Sequence, residues 1–147
     1  MNKIFYGKAC FLLALLTVFC SKHNDQEPAA DRINGNWEWV RTDGGIAHHI
    51  HETPRSTGRQ IEVSLTTDRK YWIYTNGVLT ARGTYTLEKK QCIHDRQLKP
   101  LIRFSSSADS VRMVETITPD TLLLSDEAYD GLTSQYRRVS PGGNLPK

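Results

Sequence analysis

A strict alternation of apolar and polar side chains runs through the middle of the chain and restricts it to β-strands. In the stretch QIEVSLT, Ile61, Val63 and Leu65 alternate with polar neighbours, which is the period-two pattern of a strand with one buried face. The turn TTDRK follows, and then YWIYT, whose aromatic and β-branched residues favour strands. Asn76-Gly77 is the strongest short hairpin signal, and LTARGTYTL returns with the same alternation. These segments predict one antiparallel meander.

The second half of the chain continues this organisation. PLIRF and VRMVETI flank the polar break SSSADS, and DTLLLS and SQYRRV flank the turn-rich DEAYDG. No segment is convincing as a helix. Short sequential connections favour an all-β fold, a barrel or a sandwich, and an eight-stranded up-and-down antiparallel β-barrel above all, because closure removes exposed strand edges. The predicted strands cover about 36–42, 58–67, 70–76, 79–88, 99–106, 111–118, 121–126 and 132–139.

The start of the chain has the three parts of an export signal. Lys3 and Lys8 make it basic, an apolar stretch spans 9–19, and the polar segment SKHNDQEP follows abruptly. The apolar stretch is shorter than the ~20 residues that a transmembrane helix needs. We therefore expect it to be removed on export.

The position of the cut is indicated by LTVFC, which resembles the lipobox of bacterial lipoproteins. Phe19 departs from the small residue that usually precedes the cysteine, but the nearby ordinary site, EPAA, has Pro28 at an unfavourable position. We predict a signal peptide over 1–19 and lipidation of Cys20, with a simple secreted protein or an uncleaved anchor as alternatives.

The rest of the chain divides by composition into a tether, a domain and a tail. Residues 20–32 are the lipidated cysteine and a polar, flexible tether, 33–140 form the barrel domain, and 141–147 a disordered tail. Loss of the signal removes two of the 19 basic residues and leaves a nearly neutral chain. Because a nucleic-acid-binding protein gathers basic residues on one face, this class is excluded.

The cysteine count favours a domain that is held together by its core. Cys10 leaves with the signal, Cys20 is acylated, and Cys92 is left without a partner. If Cys20 were not lipidated, a disulfide between Cys20 and Cys92 would become possible in an exported protein.

The two ends of the predicted barrel resemble the lipocalin superfamily, and more closely the lipocalin-like domains of exported bacterial lipoproteins. INGNWEWV is similar to the Gly-x-Trp start of a lipocalin's first strand, and GTYTL, DTLLLSD and YDG match the bacterial subgroup. The resemblance implies that Gly35, Trp37, Tyr136 and Arg138 close one end of the barrel, with Arg138, or alternatively Arg137, over the indole of Trp37. Such a cation–π contact contributes ~0.5–2 kcal/mol.

The resemblance and the alternation together predict a pocket for a small, mainly apolar molecule at the open end. An eight-stranded barrel encloses side chains or one small ligand, so the aromatic content of this chain also allows a largely filled interior. Trp72 and Tyr74 are expected on the outer face, as a patch for a partner or sugar or as ordinary cross-strand pairs. The expected ligand-binding residues are Trp39, Ile61, Val63, Tyr71, Ile73, Tyr85, Phe104 and Met113.

The segment HHIH contains the candidates for a metal site. His49 and His51 lie two positions apart and would share one side of an extended segment. A zinc or copper site needs three or four ligands, and only His48, His94 and Glu52 are available to complete it. His49 and His51 are therefore weak metal candidates, in a connection that contacts a ligand or is simply exposed, and we expect no metal or cofactor.

Catalytic motifs are missing from the sequence. There is no Gly-x-Ser-x-Gly elbow and no phosphate-binding glycine loop, and Cys92 with His94 lacks an orienting third residue. We expect a protein that is not an enzyme: a lipid-anchored ligand-binding lipoprotein of the bacterial envelope, in the outer membrane on its periplasmic or surface face. The alternative is a filled barrel that acts through its surface, as a module binding an envelope protein or as an inhibitor of a hydrolase.

Overall fold

The computed structural model describes residues 32–105 and 111–140, which form a closed antiparallel up-and-down β-barrel. The strands are β1 (Gly35–Gly44), β2 (Ile50–Glu52), β3 (Ile61–Leu65), β4 (Lys70–Thr75), β5 (Val78–Gln91), β6 (Leu98–Phe104), β7 (Val111–Ile117), β8 (Thr121–Ser125) and β9 (Leu132–Val139). Pairing of β1 with β9 closes a barrel of eight strands, and β2 adds a short ninth strand beside the end of β1. This confirms the predicted fold class, and it is consistent with a lipocalin-like fold.

The long connection between β1 and β3 contains structure that the sequence pattern did not predict. Besides β2, it has a three-residue 3-10 turn at Ile46–His48 and a four-residue α-helix, α1, at Pro54–Thr57. The side chain of Thr53 accepts a hydrogen bond from the Ser56 amide, and Ser56 bonds back to the Thr53 amide. Gly58 ends the helix in the left-handed conformation at φ 69°. This single turn leaves the predicted all-β class unchanged, because the described residues contain almost no helix.

One end of the barrel, here called the closed end, is formed by the N-terminal turn at 32–34 and the connections β3–β4 and β7–β8. The Tyr85 hydroxyl joins two of these segments, since it donates to the Asn34 side chain and lies 2.8 Å from the Thr66 carbonyl oxygen. The opposite, open end carries the connections β1–β3, β4–β5 and β8–β9.

The core occupies the barrel interior and is densest towards the closed end. Its largest side chains, Trp37, Tyr71 and Tyr85, are all buried, and the ring of Phe104 meets that of Tyr71 edge-on at 4.8 Å. The other buried members of this cluster are Ile33, Val63, Leu65, Ile102, Val114, Leu122 and Leu124.

Two irregularities in the barrel change which side chains point inwards. In β1 the register against β9 shifts between Trp39 and Arg41. In β5, Ala81 pairs with Ile73 but Leu79 pairs with Tyr74, so Thr80 is an extra residue. Leu79, which alternation had placed on the face of Ala81, therefore shares the outer face of Tyr74.

The β5–β6 hairpin extends past β4, and its tip lies against the outside of the barrel. The Ile93 amide donates to Glu127 in the β8–β9 connection, and Lys90 pairs with the same carboxylate at 2.7 Å. Beneath the tip, Cys92, Leu101 and Met113 form a second buried cluster. Leu101 precedes the inward-facing Ile102, so by alternation this cluster lies on the outer face of the sheet.

The predicted signal peptide, Cys20 and the tail at 141–147 lie outside the described residues, as does all but Arg32 of the predicted tether. Within residues 32–105 and 111–140, no helix is long and apolar enough to cross a membrane.

Candidate functional site

The closed end is held by Arg138, whose guanidinium lies 4.1 Å from the ring centre of Trp37. The Trp37 indole donates to the Ile33 carbonyl at 2.8 Å. Nη1 and Nη2 of Arg138 donate to the carbonyls of Asn34 and Arg32, each at 2.6 Å. The contact over Trp37 is the one expected from the sequence for Arg138, whereas Arg137 pairs with Glu38 on the outer face.

Position 35 requires glycine because the guanidinium of Arg138 occupies the space that a side chain at this position would need. A Cβ on Gly35 would lie 2.1 Å from Nη1 of Arg138, and the backbone there has φ +136°. This close approach gives a physical reason for glycine two residues before the buried tryptophan. Tyr136, the fourth residue predicted for the closure, instead pairs with Trp39, one step further up the barrel.

Three predicted ligand-binding residues lie in the packed part of the interior. Val63, Tyr71 and Tyr85 are 8%, 1% and 2% exposed. Tyr85 serves the closed end through its hydroxyl, and burial raises its pKa. Phe104 lies between them, partly buried, in contact with the rings of Tyr71 and Tyr85. This half of the barrel leaves little room for a ligand.

Three other predicted residues lie nearer the open end. Trp39 is 3% exposed, and the Arg59 guanidinium lies 5.9 Å from its ring centre. Ile61 and Ile73 also face the interior, since each packs against the core, yet both are only partly buried. Ala81, the partner of Ile73 across the strands, is partly buried in the same way. These residues are brought together around one mouth of the barrel.

Polar groups form one wall of the interior near the open end of the barrel. The Trp39 indole donates to the Thr42 hydroxyl at 2.9 Å, and Thr42 bonds the Ser134 hydroxyl at 2.8 Å. Residues three apart in a regular strand face opposite sides, so the bulge in β1 is what turns both Trp39 and Thr42 inwards. Tyr136 packs nearby, and burial raises the pKa of its hydroxyl, against the influence of the Arg112 charge.

Met113 is the predicted ligand-binding residue that lies elsewhere. It pairs with Leu101 on the outer face and is fully buried beneath the tip of the β5–β6 hairpin. Alternation and the resemblance predict an inward-facing Met113, and this prediction is wrong, because the inward-facing residues of β7 are its neighbours Arg112 and Val114. Cys92 in the same cluster is a free, buried thiol.

The outer aromatic pair and the histidines take ordinary positions. Trp72 lies opposite Ser64 and Arg82, and Tyr74, which lies opposite Glu62 and Leu79, is only 9% exposed. His51 bonds Asp43 at 2.9 Å, while His49 bonds the Ile46 carbonyl. Among residues 32–105 and 111–140, no three His, Cys, Asp or Glu side chains converge as a metal site.

The outside of the barrel carries a groove that the alternation within single strands does not predict. This outer groove is defined here as the two open clefts that share Asp43, His48 and Thr133. These clefts have volumes of about 410 and 280 Å³. They lie outside the barrel between the β1–β2, β5–β6 and β8–β9 connections. His48 and His51 of the segment HHIH line one side of this groove. Its other sides are formed by residues of the β5–β6 and β8–β9 connections, which are distant in sequence.

Comparisons with known proteins identify no relative. No protein-family model, no curated protein and no solved structure matches the chain.

Proposed function

We propose that this protein is a lipocalin-like lipoprotein that binds one small, mainly apolar molecule in the open half of its barrel. The observation that carries the proposal is the change in burial along the interior. Towards the closed end, Trp37, Tyr71 and Tyr85 are 0–2% exposed, whereas Ile61 and Ile73 face the same interior and remain partly exposed. Inward-facing apolar side chains that water can reach are what a ligand would cover.

The chemistry of the open half suits a small ligand with one polar group. Ile61, Ile73 and Ala81 offer an apolar wall on three adjacent strands. Across from them, the Thr42 and Ser134 hydroxyls are already bonded to each other, and Arg59 lies over Trp39 at the mouth. A ligand with an apolar body and a polar end towards Arg59 would match this distribution.

Ligand binding can be tested with a fluorescent apolar probe, N-phenyl-1-naphthylamine. The wild type should bind it saturably, with energy transfer from the tryptophans, because Trp39 lies beside the proposed site. Native mass spectrometry of gently purified protein would report any molecule that it already carries.

Two variants make the test specific to the interior. Ile61→Trp and Ile73→Trp should each fill the open half and weaken probe binding at least about tenfold, since each bulky ring occupies the proposed site. Thr86→Trp, at an exposed and outward-facing position of β5, is the matched control and should bind as the wild type does. If the folded wild type bound neither probe nor endogenous molecule, the surface-acting alternative would replace this proposal.

The location is a separate part of the proposal. The apolar start of the chain and LTVFC support an anchor at Cys20 in the bacterial envelope, with the outer membrane as its expected site. Mass spectrometry of the membrane fraction should find a chain that begins with acylated Cys20. A chain that keeps residues upstream of Cys20 would contradict the anchor and leave the ligand-binding test unaffected.

A further inference from the structure

The outer groove has no role in the function proposed above, and it is a concave surface that the described residues form outside the barrel. Its larger cleft, about 410 Å³, lies over β8, β9 and β1 and includes Arg41, His51 and Gln135. Its smaller cleft, about 280 Å³, is lined by His94, Glu115 and Tyr129 among others. The larger volume falls in the ~300–1,000 Å³ range of small-molecule sites.

Among the residues that the structure describes, every carboxylate that lines the groove already has a cationic partner. Asp43 pairs with Arg41 at 3.1 Å and with His51. Glu115 pairs with Lys99, which the sheet brings from β6.

Asp126, the third carboxylate of the groove, pairs with Arg112 at 3.0 Å and also accepts from the Leu132 amide. The groove therefore presents three carboxylates that are held in position, and their charges are offset within the protein. Such groups keep acceptor capacity for a ligand but do not create the net charge that would select an ion.

Donors and an aromatic ring complete the lining. Thr133, His48 and His94, whose side chains carry hydrogen-bond donors, line the groove. Tyr129 stands at its rim with 83% of its surface exposed, and the ring of His94 meets it edge-on at 6.0 Å. An exposed tyrosine beside a polar cleft offers a flat apolar face together with a hydroxyl.

We propose that the outer groove binds a neutral polyhydroxylated ligand, a short stretch of an uncharged carbohydrate chain, with Tyr129 stacking against one sugar ring. The paired carboxylates argue against a metal cation or an anion, and the mixture of polar groups with apolar surface in the two clefts argues against a purely apolar molecule. Sugars present hydroxyls that both donate and accept, together with an apolar ring face, and the groove has groups for each. This binding does not depend on the barrel interior, because the groove lies on the outer face.

The test uses three linear tetrasaccharides, cellotetraose, maltotetraose and chitotetraose, with isothermal titration calorimetry and amide NMR shifts on the folded, tagless mature chain. At least one should bind, and the shifts should centre on Thr133 and Tyr129. Binding should be nearly unchanged between about 0.05 and 0.5 M NaCl, because an uncharged ligand has no charge for salt to screen. Failure of all three to bind at about 10 mM would overturn the proposal, as would binding that salt abolishes.

Variants then assign the binding to the groove. Tyr129→Ala should weaken it roughly threefold to tenfold through loss of the stacking ring. Thr133→Val should also weaken it, since it removes a hydroxyl and keeps the shape.

Val78→Ala is the control: it trims another exposed apolar side chain, 66% exposed and outside the groove, and should bind as the wild type does. Equal affinities for the wild type and both groove variants would place the sugar elsewhere and refute the assignment. The interior is tested apart from the groove, because Ile61→Trp should leave sugar binding intact.

Discussion

The contact between Gly35 and Arg138 gives the most demanding test of how the barrel is closed. An alanine Cβ at position 35 would lie 2.1 Å from Nη1 and 3.3 Å from Cζ of Arg138. The overlap is with the end of a flexible side chain, which can move, but Gly35→Ala must then push Arg138 away from the carbonyls of Arg32 and Asn34 and off the ring of Trp37, which hold it. The variant also forces alanine into a backbone conformation with φ +136°.

The size of the effect follows from these two separate losses. Backbone strain of this kind costs about 1–3 kcal/mol. Displacement of the guanidinium loses a cation–π contact of about 0.5–2 kcal/mol and hydrogen bonds with net values of about 0.5–1.5 kcal/mol each, reduced where water can replace them. We expect Gly35→Ala to lower the free energy of unfolding by about 2–5 kcal/mol, and Arg138→Ala by about 2–4 kcal/mol.

A double-mutant cycle separates strain from displacement. In an Arg138→Ala background the clash no longer exists, so Gly35→Ala should cost only the strain, and the two losses should fall short of additivity by about 1–2 kcal/mol. Urea unfolding followed by tryptophan fluorescence measures the wild type, the two single variants and the double variant, with Thr86→Ala on the outer face as a neutral control. If Gly35→Ala cost the same in both backgrounds, the steric argument would be wrong and only the φ angle would explain this glycine.

Three further predictions concern ionisable groups. Lys99→Met should lower the free energy of unfolding by about 1 kcal/mol, because Glu115, with only 18% of its side chain exposed, loses its cation; an unchanged urea midpoint would contradict this. Burial raises the pKa of Tyr85, so the protein should lose stability as pH rises from about 10 through the folded-state pKa, and Tyr85→Phe should reduce that loss between pH 8 and 11 in urea unfolding. The hydrogen bond from His51 lowers the pKa of Asp43, so its contribution to stability is present above the unfolded-state pKa and is lost as pH falls through the folded-state pKa. His51→Asn should raise the Asp43 pKa towards about 3.9 in a carboxyl ¹³C NMR titration, and an unmoved pKa would show that Arg41 alone holds it.

The strands and the closed end could be predicted because both depend on local pattern or on very few contacts. Alternation in QIEVSLT and the hairpin at Asn76-Gly77 specify β3, β4 and β5 closely. The contact of Arg138 with Trp37 involves only two residues, one in the first strand and one in the last. Pairing of these two strands closes the barrel and brings the residues together.

The side chains that face the interior near the open end could not be predicted as well, because bulges interrupt the alternation of inward-facing and outward-facing residues. An extra residue at Thr80 turns Leu79 outwards, and the bulge after Trp39 turns Thr42 inwards. Neither has a glycine or proline to mark it in the sequence. Met113 was misplaced for another reason: its burial depends on the hairpin tip at Cys92 folding over the outer face, a long-range contact that alternation does not encode.

The division of the interior into a packed half and an accessible half has a thermodynamic basis. The closed half combines the largest buried rings with Arg138, which joins the N-terminal turn to the last strand. Because the contacts of the closed half stabilise the fold, the open half can keep apolar side chains such as Ile61 and Ile73 partly exposed to water. Close packing alone would disfavour this exposure. A protein selected only for stability would bury these side chains more fully. The partly exposed residues are therefore the ones that the proposed ligand would cover, and larger side chains at these positions should raise stability while they abolish binding of the probe.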